Sequence, residues 1–211
     1  MISSVDTLAV HSLPDYAPGF PICIDLDGTL VCEHTIWHLN LSLWAVTKAW
    51  VQTDLKSLFP KVLWPGVKTR MAHAAHMDQA KMTYHRGLLL QMHHWHAQGL
   101  RLYLVTGAPE KIAHYVADGV GLFTDVWSSS AQHNLVGHKK GNLLRHRFGP
   151  FGYTYIGDSW KDQAVWKTSV DVISVTKTQS ALAQHLKQTI LPSQRLFCFP
   201  HDCMPTISPM G

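Results

Sequence analysis

Apolar and polar positions change rhythm twice along this chain. Up to Phe20 they are mixed with Pro and Gly and show no period, so this stretch reads as a loosely held lead-in. Ile22, Cys23 and Ile24 follow Pro21 as a short apolar run, a buried strand ending at Asp25. From Thr35 to about Gln98 the period turns helical, with Trp37, Leu41, Trp44 and Ala45 spaced for one face. Pro60, Pro65 and Gly66 interrupt it, so two or more helices around a loop are expected. The second would run from about Val67 to Ala97 and close at Gly99.

Beyond Gly99 strands and helices alternate. "LRLYLVTG" reads as a strand ending at Thr106 and Gly107, and "PEKIAHYVADGVG" as a helix opening near Pro109. "FTDVWSS" is a shorter strand, and "KKGNLLRHRFG" a short helix closed by Gly149. "GYTYIGDS" and "VDVISV" are two more strands. This alternation predicts an α/β fold, a Rossmann-like parallel sheet flanked by helices. The helical block after the first strand becomes an inserted cap over the carboxyl ends of the strands, where ligands gather in such sheets. The expected division is a hydrolase core over 1–34 and 99–190, a helical cap over 35–98, and a weakly ordered Pro-rich tail over 191–211.

Composition narrows the class. The 211 residues are 46% hydrophobic and 15% charged, enough for one full-sized core and too apolar for wholesale disorder. A net charge of +4 is spread along the chain, which suits a small anion and lacks the focused stripe of nucleic-acid binders. Nothing approaches the ~18 consecutive apolar residues of a membrane span. With no basic, apolar leader at Met1, a cytoplasmic location is expected. Cys23, Cys32, Cys198 and Cys203 do not form a disulfide framework in this reading, since Cys23 lies inside a strand and the core needs no staples.

The chemistry sits at the strand ends. Asp25 and Asp27 are two positions apart, and paired acids at ~4 Å repel by about 4 kcal/mol at an effective dielectric near 20. A cation, solvent or a reaction that uses both carboxylates must offset that cost. Gly28 permits a sharp turn whose backbone N–H groups suit an anion. Thr106 and Gly107 add a hydroxyl and an amide, Lys139 or Lys140 a positive charge, and "GDSWKD" two further acids, Asp158 and Asp162. Several carboxylates and a lysine at one sheet edge read as a Mg²⁺–phosphate site.

"DLDGTL", "LVTG", "HKKGNLL" and "GDSWKD", in this order, resemble the four motifs of the haloacid dehalogenase-like phosphohydrolases. The whole run from Pro21 to Val175 is also similar to the phosphoserine-phosphatase-like hydrolase domains associated with UbiA-like membrane prenyltransferases. The resemblance implies a Mg²⁺-dependent phosphatase acting on a phosphate monoester, phosphoribosyl or polyprenyl-linked, with a prenyltransferase as a separate partner. Asp25 would be the nucleophile and Asp27 the acid and base. Asp25, Asp158 and the Asp27 carbonyl would ligate Mg²⁺. Thr106, Gly107 and Lys140 would bind phosphate, with Asp162 behind the metal or paired to Lys140. Phosphoserine phosphatases carry a substrate-recognising glutamate where this chain has His34, with Glu33 one position early. That departure argues against phosphoserine as the substrate.

Two other functions compete: a phosphate- or partner-binding module without turnover, and a His-rich metal-binding protein. The 15 histidines include His73/His76 and His93/His96 at helical i, i+3 spacing. These are more simply packed or solvated cap residues. "CFPHDC", with Cys198, His201 and Cys203, lacks a second ligand pair and reads as incidental. Dehalogenation is disfavoured because Asp27 suits protonation of an oxygen leaving group. Oligomeric state leaves no mark in these residues.

Overall fold

The computed structural model describes residues 20–35, 39–40, 76–77, 82–176, 180–199 and 202–205. Most of the expected cap, including Trp37, Trp44, Trp50, Trp64 and His73, lies outside these residues, as do most of the lead-in and His201.

The first strand, β1 (Ile22–Ile24), is fully buried. Two-residue strands β2 (Leu39–Asn40) and β3 (His76–Met77) pair antiparallel with each other. Strand β4 (Thr83–His85) leads into helix α1 (Arg86–Ala97). The alternation then runs β5 (Leu102–Pro109), α2 (Glu110–Val120), β6 (Asp125–Ser129), α3 (His138–Phe148) and β7 (Thr154–Gly157). A 3₁₀ turn (Trp160–Asp162) passes into α4 (Gln163–Trp166), followed by β8 (Asp171–Val175), α5 (Ala181–Thr189), β9 (Arg195–Phe199) and β10 (Cys203–Pro205).

Six strands form one parallel sheet in the order β6-β5-β1-β7-β8-β9. Side chains alternate across it with the two-residue period of a strand. Ile22 and Ile24 face one core, shared with Leu88, Met92 and Trp95 of α1 and with Ile112 and Val116 of α2. Cys23 and Tyr155 face the other, with Leu144 of α3 and Val165 and Trp166 of α4. A strand covered on both faces reads as a continuous apolar run, which explains "ICI". The expected parallel α/β sheet is therefore present, and β1 is at its centre.

Three expectations are corrected. The helical run expected from Val67 to Ala97 is not continuous: β3 and β4 are extended, and within the described residues its helix occupies Arg86–Ala97. Thr83 and Tyr84 suit a pleated pair. Their strand is held from both sides, with Cys32 N–H donating to the Thr83 carbonyl and β10 pairing antiparallel. Helix α1 packs its buried face into the same core as β1 and β5.

The Pro-rich tail is built into the structure where it is described. "RLFCF" adds β9 parallel to β8, and Arg195 makes a two-toothed contact with buried Asp171, Nε and a terminal nitrogen each at 2.8 Å. Flanking prolines obscured a five-residue strand with its own alternation. Finally, Cys32 and Cys203 are joined by a disulfide, against the expectation of none, because pairing of β10 with β4 carries Cys203 back to the turn behind β1. Cys23 and Cys198 are free.

Candidate active site

The register of the sheet assembles the site. Ile24 of β1 lies level with Leu104 of β5 and with Ile156 of β7. One or two residues further along, the three neighbouring strands reach Asp25, Thr106 and Asp158 together. Sequence positions more than 130 apart thus converge because parallel strands end on the same side.

Asp25 is held at both oxygens. The Leu26 N–H donates to Oδ1 at 2.8 Å, and the Lys140 ammonium lies 2.9 Å from Oδ2. Lys140 reaches it from the first turn of α3 and is itself buried, whereas Lys139 faces outward along a surface cleft with Trp127 and Asn142. Geometry thus distinguishes the two adjacent lysines. Lys140 Nζ also donates to the Tyr155 hydroxyl at 2.7 Å, and that hydroxyl donates to Asp162 Oδ1 at 2.7 Å. The other Asp162 oxygen accepts from Ser159 N–H at 3.1 Å and Ser159 Oγ at 2.9 Å, a reciprocal cap that starts the 3₁₀ turn.

Asp158 accepts from Thr29 Oγ1 at 3.3 Å. Gly28 has φ +78°, and a Cβ there would collide with the Asp158 carboxylate. Both facts require glycine. Asp27 accepts from the Thr35 N–H at 2.6 Å. Thr106 is buried and its Oγ1 accepts from Ala108 N–H at 3.0 Å, which leaves the hydroxyl hydrogen to donate elsewhere. Gly107 is covered by Val136, whose Cγ1 is 2.5 Å from where a Cβ would stand. One detail departs from expectation: the Gly28 and Thr29 N–H groups donate to the Val31 and Leu26 carbonyls, so these two amides are engaged within the turn.

Electrostatics follow from this crowding. Burial pushes the Asp25 carboxyl up to about 7, against the pull of Lys140 and with a further push from Asp162. Burial, with Asp162 beside it, takes Asp158 to about 6 against the Thr29 hydrogen bond. Burial alone would lower Lys140, but Asp25, Asp162 and Asp158 outweigh it and raise its pKa. The site has more negative charge than one ammonium neutralises. Carboxylate oxygens of Asp25, Asp158 and Asp162 lie within 4.8 Å of one another, a donor set of hard oxygens that fits Mg²⁺.

Sequence reading missed Tyr155. Its hydroxyl links the lysine to Asp162, yet in "YTYIGD" it shows only as one of two alternating tyrosines. The available signal was its position: three residues before Asp158, on the face opposite Ile156.

No family model matches the chain. It is 28% identical over 172 residues to an uncharacterised protein of Sinorhizobium fredii, y4nM, covering 80% of this chain and 32% of that one. The chain thus spans about a third of the length of that relative. Among solved structures it superposes on a haloacid dehalogenase family hydrolase from Salmonella enterica serovar Typhi with TM-score 0.56. Identity is 13%, covering 86% of this chain and 68% of that one. A substrate-bound phosphoserine phosphatase gives TM-score 0.52 at 14% identity, covering 89% and 96%. A phospho-aspartyl intermediate analogue of phosphoserine phosphatase gives 0.50 at 12%, covering 85% and 94%. The chain has the fold of the haloacid dehalogenase-like hydrolases.

Proposed function

We propose that the chain is a Mg²⁺-dependent phosphatase that hydrolyses a phosphate monoester through an aspartyl-phosphate on Asp25. The observation that carries this reading is the Asp25 carboxylate at the end of the central strand, braced by Leu26 N–H and Lys140 with Asp158 beside it. Its bracing aims one carboxylate at the space beyond the sheet while Lys140 offsets the charge of an approaching phosphoryl group. An oxygen of Asp25 attacks phosphorus as the bond to the leaving oxygen breaks, and Asp27 delivers a proton to that oxygen. Asp27 then takes a proton from water as the water attacks phosphorus, and the Asp25–phosphorus bond breaks to release phosphate. The Thr35 N–H holds the Asp27 carboxyl in one orientation for both transfers. Thr106 and the Gly107 amide would hold the equatorial oxygens.

Asp25, Asp158 and the Asp27 carbonyl would hold Mg²⁺, and Asp162 would orient Lys140. When bound, the ion supplies charge neutralisation between carboxylate and phosphate. The fit rests on the close approach of the three acids, on the raised pKa values of Asp25 and Asp158 and on Gly28, which clears space for Asp158.

The sequence resemblance to UbiA-associated domains favours a phosphoribosyl or polyprenyl-linked phosphate, with 35–98 as the cap and a membrane prenyltransferase as partner. Among the described residues no helix is long and apolar enough to cross a membrane. The cytoplasm is the compartment this reading assigns. The test is phosphate release from p-nitrophenyl phosphate with Mg²⁺ and with EDTA, for the wild type and Asp25→Asn. Mg²⁺-dependent turnover absent from the variant supports the reading. Folded wild type without turnover on this ester or on a panel of phosphoribosyl and prenyl phosphates overturns it in favour of a binding module.

A further inference from the structure

Besides the carboxylate cluster there is a second group of ligating side chains that the phosphatase reading does not use. Cys32, His85 and Cys203 each place one donor atom within 4.8 Å of the other two. They come from three separate parts of the chain: the turn after β1, the residue that opens α1, and β10. In the structure the two sulfurs are bonded to each other, across a sequence separation of 171.

A staple of two cysteines needs no imidazole, and here His85, 1% exposed, brings a ring nitrogen within 4.8 Å of both sulfurs. Two thiols and an imidazole are the donors that zinc-class cations take, whereas the all-oxygen cluster of Asp25, Asp158 and Asp162 suits Mg²⁺. The softness of the donors separates the two sites chemically.

Backbone hydrogen bonds hold the three segments together independently of the sulfurs. Cys32 N–H donates to the Thr83 carbonyl at 2.9 Å, His85 N–H to Leu30 at 3.0 Å and Arg86 N–H to Asp202 at 2.8 Å. Cys203 also lies level with His85 in the β4–β10 pair. The donors therefore stay together when the disulfide is opened. Cys203 is exposed and Cys32 half-buried, which gives an ion a way in and leaves a solvent-facing fourth position.

We propose that, with Cys32 and Cys203 reduced, these thiols and His85 bind one zinc-class divalent cation. Such a compartment as the cytoplasm keeps thiols reduced, so the bound ion and the disulfide are alternative occupants of the same two sulfurs. The site also touches the candidate active site through the backbone. Val31, beside Cys32, bridges to Asp27 on one side and to Tyr84 of β4 on the other. An ion at the cysteines would clamp β10 onto the turn that carries Asp27.

The experiment uses the full chain, reduced with a phosphine, freed of metal and titrated anaerobically with Co²⁺. Expected is thiolate-to-cobalt charge-transfer absorption with tetrahedral d–d bands, saturating at one ion per chain and bleached by Zn²⁺. Cys32→Ser and Cys203→Ser should each weaken the signal and the double variant should lose it. Asp25→Asn should keep it, which separates this site from the carboxylate cluster. Circular dichroism on each variant confirms folding, and Cys203 at the exposed end is the substitution least able to disturb the core. Absence of charge-transfer absorption from the reduced wild type overturns the proposal. So does an undiminished signal in the double variant, which would place the ion on Cys23 or Cys198.

Discussion

The Lys140 ammonium lies 2.9 Å from Asp25 Oδ2 and 3.7 Å from Asp162 Oδ1, with both carboxylates and the lysine largely removed from solvent. One cation thus offsets two acids at once, and a buried ion relies on such partners. Lys140→Met removes the charge and keeps most of the volume. Breaking a buried pair in this way costs about 3–5 kcal/mol, less whatever Asp25 regains by taking up a proton. Turnover should fall ~10²-fold or more, the scale of removing one preorganised charge partner. Urea unfolding and steady-state kinetics read the two effects separately. Lys139→Met, on the exposed neighbour, should move neither.

Tyr155 offers a finer probe. Its hydroxyl accepts from Lys140 and donates to Asp162, and the ring is wedged against Trp166. Tyr155→Phe leaves the ring and deletes only the bridge. The expected loss is about 1–3 kcal/mol, because buried partners are left unpaired. If Tyr155 only packs, stability falls and kcat does not. If it positions Lys140, kcat falls with KM little changed, and Tyr155→Phe should then add almost nothing to the kcat loss of Lys140→Met in the double variant.

Much of the site was legible because its chemistry is clustered in short motifs at the ends of apolar runs. "ICIDLDG" fixes a strand, a turn and two acids within seven residues, and the sheet register brings Thr106 and Asp158 to them. Lys139 and Lys140 could not be separated by type or spacing. Their difference is the rotation of α3, which places Lys140 beside Tyr155 and Asp25. The tail was misread for a different reason. Four prolines mark its composition, Pro192 and Pro200 flanking β9, whereas β9 depends on an open edge of β8 and on Asp171 meeting Arg195, contacts no local window contains. Cys32 and Cys203 met for the same reason, through β10 returning to β4.

Gly28→Ala tests the turn between the acids. The backbone there has φ +78°, and the new methyl would run into the Asp158 carboxylate. A left-handed conformation in a non-glycine residue costs about 1–2 kcal/mol, and displacing Asp158 adds to it. Mg²⁺ affinity, followed by isothermal calorimetry, should weaken by about tenfold or more, one decade per ~1.4 kcal/mol. Gly99→Ala is the control. It has the same φ of +78° with no atom within 4 Å of a Cβ, so it should lose stability and leave the metal affinity intact.

The raised carboxyls predict how stability responds to pH. Asp25 moves from 3.8 to about 7 and Asp158 from 3.8 to about 6, both chiefly through burial. Between the unfolded and folded values the native chain holds more protons than the unfolded one. The stability these groups contribute is therefore complete below about pH 4 and is lost as pH rises through 6 and 7. A divalent cation favours the ionised carboxylates and reverses that loss. Melting in EDTA should show Tm falling across this window, with the gap between Mg²⁺ and EDTA curves small near about pH 5 and wide near about pH 8. Asp25→Asn removes the larger of the two shifts, so its EDTA curve should be flatter and its Mg²⁺ gap narrower. Parallel curves for wild type and variant would leave Asp25 without a part in the pH response.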